Sequence, residues 1–210
     1  MHIVLVMDYQ NVHLTAAELF GGGHPIHESL IHPGLFASEW CKVRLTAAHA
    51  PFDSEAAARM EVHVHRGLPA ASLAGYGRNL AQQAHWESSG THRVKVSHRP
   101  LRYRKIQEWP NRGRIDPNSG REKGIDVAVA LDVVDAAHNA DLVVLASVDT
   151  DLVPALEYAK RTGSARIETT SWFAPDIEGG RRQLRTTPVS WNTRLDAAVF
   201  RASIDHSHYA

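Results

Sequence analysis

The chain has 210 residues and a mass of 23.2 kDa, with 43% apolar residues, 22% charged residues, a formal net charge of zero and a mean hydropathy of -0.29. These values suit one soluble globular domain with extensions. They exclude a membrane protein, since no run approaches the roughly 20 apolar residues that span a bilayer. A single cysteine, Cys41, excludes an internal disulfide and a cysteine-built zinc site.

His2–Met7 (HIVLVM) is a nearly unbroken apolar run stopped at Asp8, which predicts a strand buried on both faces and central in a parallel sheet. It has no basic segment before it, so a secretory signal is not expected and the cytoplasm is the expected compartment. Gly21–Pro25 and Pro33-Gly34 mark loop. Leu35 to Ala48 places Leu35, Phe36, Trp40, Val43 and Ala47 near one helical face, predicting a helix. Met60–His65 alternates and is closed by Gly67 and Pro69, predicting a second strand. Leu73–Glu87 reads as a helix and His92–His98 as a third strand.

Arg99–Lys123 carries three prolines and no apolar period, and is expected to be a long loop. Ile125–Ala137 alternates like a strand, but its length and alanines favour helix. Asp141–Ser147 predicts a buried strand, Leu152–Arg161 a helix stopped by Gly163, and Ala165–Thr170 a last strand. Phe173–Pro188 reads as loop and Leu195–Ile204 as a small terminal helix. Strands alternating with helices give an α/β fold with a mostly parallel central sheet. In such sheets ligands bind outside the carboxyl ends of the strands.

The zero net charge conceals a pattern. Arg93–Lys123 holds ten Lys or Arg against Glu108, Asp116 and Glu122, while Gly124–Glu157 holds seven acids and no Lys or Arg. Such a pair of blocks is either a phosphate-binding, cation-using site or a solvated loop beside an acidic helix. Asp8 and Asn11 follow the first strand, Asp149 and Asp151 follow Asp141–Ser147, and Asp126 opens a predicted helix. Taken singly, Asp151 reads as a helix cap, Asp126 as an answer to the helix dipole and Asp8 as a turn former. Taken together, carboxylates at one rim repel unless a cation sits among them. An all-oxygen set suits Mg²⁺ or Mn²⁺. His63 and His65 share a strand face. With no cysteine or helical histidine pair beside them, they point to pH sensitivity rather than zinc.

The opening I-V-L-V-M-D-Y-Q-N, the run R-E-K-G-I-D-V-A-V-A-L-D-V-V and the following D-L-V-V-L-A-S-V-D-T-D-L-V-P resemble, in order, the motifs of the NYN domain, a branch of the PIN-like ribonucleases. The resemblance covers roughly residues 2 to 172. It implies a three-layer α/β/α domain over residues 1–174, with residues 175–210 an extension that packs on the domain or trails from it. It further implies a metal-dependent ribonuclease with Mg²⁺ or Mn²⁺ on Asp8, Asp126, Asp149 and Asp151, Asn11 orienting Asp8 or the phosphate, and Lys123 contacting phosphate or the acids.

The basic loop would hold the RNA backbone through Arg99, Arg102, Arg104, Lys105, Arg112, Arg114 and Arg121, with Tyr103 and Trp109 either stacking on bases or packing on their own loop. No membrane partner is expected, and the sequence leaves open whether the chain forms a homodimer. Asp132 lies six residues after Asp126, roughly 240° around a helix, so a salt-bridging or core-polar role fits it better than a place beside Asp126. Val148 stands where the family usually has glycine, which leaves a catalytically impaired RNA-binding or adaptor protein as the alternative function. Toprim, haloacid-dehalogenase-like and dinucleotide-binding readings fit worse, lacking respectively a Glu after the first strand, an Asp-x-Asp there, and a G-x-G-x-x-G.

Overall fold

The computed structural model describes residues 1–47, 55 and 60–209. Six parallel strands form one sheet: β1 (Ile3–Asp8), β2 (Glu61–Leu68), β3 (Arg93–Pro100), β4 (Leu142–Ala146), β5 (Arg166–Trp172) and β6 (Asn192–Leu195), in the order β3-β2-β1-β4-β5-β6. Six α-helices lie among the described residues: α1 (Tyr9–Phe20), α2 (Pro33–Thr46), α3 (Gly75–Ser88), α4 (Ile125–Asn139), α5 (Val153–Thr162) and α6 (Ala197–Ser203). The α/β class and the parallel sheet are as the sequence predicts.

The pleat of β1 explains the layers. Ile3, Leu5 and Met7 point to one face, where they pack with residues of α1, α2, α3 and α6 such as Val12, Trp40, Trp86 and Phe200. Val4 and Val6 point to the other, against Val129 and Val133 of α4 and Leu156 of α5. Burial of each such side chain contributes about 1.5–3 kcal/mol. The central strand is thus apolar on both sides, which is why its sequence shows no alternation.

Several boundaries differ from the sequence reading. Helix α1 is absent from it: Asp8 ends β1 and at once caps α1, its Oδ1 accepting from Asn11 N at 3.3 Å, so no loop residues announce the helix. Strand β2 runs through Gly67 to Leu68 rather than stopping before it. Strand β6, of only four residues, falls between the loop expected to end at Pro188 and the helix expected from Leu195, so Leu195 ends a strand and the helix begins at Ala197. The expected helix from Leu35 ends at Thr46, Leu35 itself is exposed, and the last residue of that expectation, Ala48, lies outside the described residues.

The stretch expected to be a loop after Arg99 is an arm folded back on itself. Arg102 pairs antiparallel with Arg121 and Lys105 with Ile115, and the buried Ser119 Oγ accepts from Arg104 N at 2.8 Å. Beyond residue 175 the chain contributes β6 and α6, and Phe200 stacks against Phe20 and Trp172. Arg44 on α2 and Glu168 on β5, both buried, form two hydrogen bonds of 2.8 and 2.9 Å across the layers.

Candidate metal centre and nucleic-acid surface

Strand order reverses at β1, with β2 on one side and β4 on the other. A crevice opens at such a switch point beyond the strand ends. Asp8 closes β1 there, and Ser147, Val148 and Asp149 follow β4. Helix α4 brings Asp126 to the same rim in its first turn. Gly124 caps it, with a φ of 78° in the left-handed region that glycine adopts freely.

Asp8, Asp126 and Asp149 each offer a carboxylate oxygen, and these atoms all lie within 4.8 Å of one another. Asp8 is buried, Asp149 half-buried and Asp126 exposed, so the cluster opens from the sheet toward solvent. Hydrogen bonds fix its deep end. Ser147 Oγ donates to Asp8 Oδ2 at 3.2 Å and accepts from Asp149 N at 3.1 Å, and Asn11 Oδ1 accepts from Val148 N at 3.0 Å. Asp149 Oδ1 in turn accepts from Asp151 N at 2.9 Å, capping a short 3₁₀ turn.

Asp151 is exposed and stands outside the close trio, although its charge bears on Asp126. Lys123 is exposed just before α4 and forms no ion pair among the described residues. Asp132, two turns down α4, is turned away from the acids. Its carboxylate lies between His63 Nδ1 (2.9 Å) and His65 Nε2 (2.6 Å) on one face of β2.

Burial raises the Asp8 carboxyl to about 6, with the charges of Asp126 and Asp149 adding to the rise and the bonds from Asn11 and Ser147 opposing it. Burial and then Asp149 and Asp151 raise Asp126. The recess around them is also lined by Glu18 and Glu122 and carries no Lys or Arg. A set of oxygen donors with uncompensated charge fits Mg²⁺ or Mn²⁺, hard cations that carboxylates bind.

Glu122 and Gln10 were missed as part of this rim. In the sequence Glu122 shows only as an acid of the basic block and of the run R-E-K-G-I-D, immediately before Lys123-Gly124. Its Oε1 accepts from Gly67 N at 2.7 Å, and a Cβ at position 67 would stand 2.3 Å from Leu101 Cδ2 and 2.8 Å from that oxygen, so a side chain there would displace both. Gln10, with its amide nitrogen turned to Glu122, donates to both carboxylate oxygens at 3.1 and 2.6 Å. Burial raises the Glu122 carboxyl, helped by Asp8 and Asp126.

Val148 has a negative φ and does not line the acid recess; it borders a small crevice with Val12, Phe36 and Trp172 instead. The seven cationic side chains expected to hold RNA, Arg99, Arg102, Arg104, Lys105, Arg112, Arg114 and Arg121, are all exposed, and none makes an ion pair among the described residues. Arg99 reaches the start of α4, its Nη1 3.4 Å from where a Cβ on Gly124 would stand. Trp109 is 87% exposed, while the Tyr103 ring lies against Gly120 of its own arm. Among the described residues no helix is long and apolar enough to cross a membrane.

No curated protein matches the chain. One similar solved structure is a protein of unknown function from Vibrio parahaemolyticus, 16% identical over 80% of each chain with a TM-score of 0.45. The family model of the NYN domain matches residues 3–175, a span that takes in β1 with Asp8, α4 with Asp126 and the turn after β4 with Asp149. The chain therefore belongs to the NYN domain family.

Proposed function

We propose that this protein is a metal-dependent ribonuclease that hydrolyses phosphodiester bonds of single-stranded or structured RNA. The observation that carries this reading is the trio Asp8, Asp126 and Asp149 at the switch point of the sheet, crowded within 4.8 Å and lacking a cationic side chain to offset it. Asp8, Asp126 and Asp149 hold the ion, with Asp151 at its margin. When bound, Mg²⁺ or Mn²⁺ supplies water of lowered pKa and neutralises charge on the in-line phosphate.

The protein's own groups position the parts. Asn11 holds the backbone after β4 through Val148 N, and Ser147 orients Asp8 toward the rim. Lys123 and Arg99, at the approach to α4, meet the incoming phosphate. The exposed arm residues Arg102, Arg104, Lys105, Arg112, Arg114 and Arg121 hold the backbone on either side, and Trp109 supplies a face for a splayed base. The negative φ at Val148, which is not among the residues lining the acid recess, supports the active enzyme over the impaired adaptor.

The deciding experiment is cleavage of a labelled mixed-sequence single-stranded RNA with Mn²⁺, Mg²⁺ or EDTA, comparing wild type with Asp149→Asn. Metal-dependent cleavage lost in the variant is expected. RNA binding without cleavage by wild type overturns the enzyme in favour of the adaptor.

A further inference from the structure

The acid recess continues into two more cavities. Gln10, Leu14 and Glu122 wall both the recess and a cavity of about 440 Å³. His13, Arg66 and Asn79 wall both that cavity and a third of about 580 Å³. The three form one trough along α1, whose positions 10, 13 and 14 lie on one helical face.

Charge reverses along the trough. The recess carries five carboxylates and no Lys or Arg, whereas the far cavity carries Arg66 and Arg78 with His27 and His208 beside them and no carboxylate; His13 also lines it, but burial favours its neutral form and its Nε2 meets Ile26 O. Asp205, two residues before Ser207 of the far cavity's lining, is engaged by Trp86 Nε1 at 2.7 Å and by the Tyr209 hydroxyl at 2.6 Å.

Arg66 stands where the last two cavities meet. Its guanidinium lies 4.6 Å from the Tyr9 ring centroid and 5.1 Å from that of Trp86, and Nη1 donates to Gln82 Oε1 at 2.8 Å. Its other donors have no protein acceptor among the described residues. A guanidinium held on its faces and open at an edge presents the fork that fits phosphate oxygens. Beside it, Asn79 is buried, with Nδ2 donating to Gly75 O and Oδ1 receiving no hydrogen bond.

We propose that the far cavity is a second phosphate subsite, in which Arg66 and Arg78, with His27 and His208 beside them, hold a phosphate of the strand whose scissile phosphate lies at the carboxylates. This deepens the ribonuclease reading and rests on it for the identity of the polyanion. The phosphate is either an internal diester of a strand lying along the trough or a terminal monoester that fixes the distance of the cut from the strand end.

The test is binding in EDTA, where no cleavage occurs, followed by fluorescence anisotropy of a 3′-labelled RNA hexamer bearing either a 5′-phosphate or a 5′-hydroxyl. Arg66→Gln and Arg78→Gln are each expected to weaken binding about fivefold or more and to flatten the dependence of log K on log salt by nearly one charge's worth. Loss with both probes assigns an internal phosphate, and loss confined to the 5′-phosphate probe assigns a terminal one. Arg78 is exposed, so Arg78→Gln folds and decides the matter if Arg66→Gln does not. Wild-type affinity in Arg78→Gln for both probes, or no binding by wild type, overturns the subsite. Cleavage with Mn²⁺ by the same preparation reports on the ribonuclease reading separately.

Discussion

Asn11 Oδ1 accepts the backbone N–H of Val148 at 3.0 Å, tying the first turn of α1 to the turn after β4. The bond needs the backbone at 148 and not its side chain, and φ there is negative. Val148→Gly is therefore expected to leave cleavage within about threefold of wild type, since the freedom of glycine is not being used. Asn11→Ala, which leaves the N–H without its acceptor, is expected to lower kcat about tenfold. Activity that appears only on installing glycine would place the defect of an adaptor at Val148.

Removing the charge of Asp126 or Asp149 should act on metal and on cleavage together. Each Asn variant is expected to lose about 100-fold or more in cleavage. Wild type should also melt at a higher temperature as Mn²⁺ is added, by the equivalent of about 2.7 kcal/mol at a hundredfold excess over Kd. Both variants should show a smaller shift, measured by thermal unfolding with and without EDTA.

Asp8 gives a pH dependence whose sign is fixed by its raised carboxyl. In the fold it titrates at about 6, against 3.8 unfolded. The folded state therefore holds the proton more tightly, and the stability due to this group is present at low pH and lost as pH rises through 6. Asp8→Asn should stabilise the metal-free protein at pH 7.5 by up to about 3 kcal/mol, a gain that vanishes near pH 4. Denaturant titrations at the two pH values measure it, and equal gains at both would overturn the assignment.

Asp132 behaves in the opposite way. His63 and His65 hold its carboxyl far below the usual range, while bonds from Asp132 and Glu61 raise His63. The carboxylate's contribution is present above its unfolded pKa, and that of His63 is lost as pH rises through its elevated value. Asp132→Asn is thus expected to cost about 2–3 kcal/mol near pH 5.5, less above pH 8, with cleavage per folded molecule retained.

The arm predicts salt sensitivity. Arg102→Ala with Arg104→Ala should weaken RNA binding similarly for all sequences and lower the slope of log K against log salt by about 1.4. An unchanged slope would remove these side chains from the phosphate contacts.

Much of this architecture is legible in the residues. The unbroken run Ile3–Met7 announces a strand covered on both faces, and acids after two such runs locate the rim. The first helix was hidden because Asp8 serves both as strand end and as cap, although Tyr9, Val12, Ala16 and Leu19 repeat at helical spacing and are buried. Glu122 was hidden for another reason: its place depends on Gly67, which lies 55 residues away. Arg66 likewise owes its environment to Tyr9 on α1 and to Gln82 and Trp86 on α3, two elements remote from it in sequence. Charge counting along a chain detects neighbours in sequence, and these contacts join residues far apart in it.

The position of β1 between β2 and β4 carries a consequence for how the molecule comes into being. Asp8 is synthesised well before the rest of the rim: its strand gains β4 as a neighbour only when Leu142–Ala146 has been made, and Asp149 follows later still. Parallel pairing between such distant segments is slow to form. A nascent chain therefore holds its first carboxylate long before it holds the cluster, and the rim is complete only when the sheet has closed around β1.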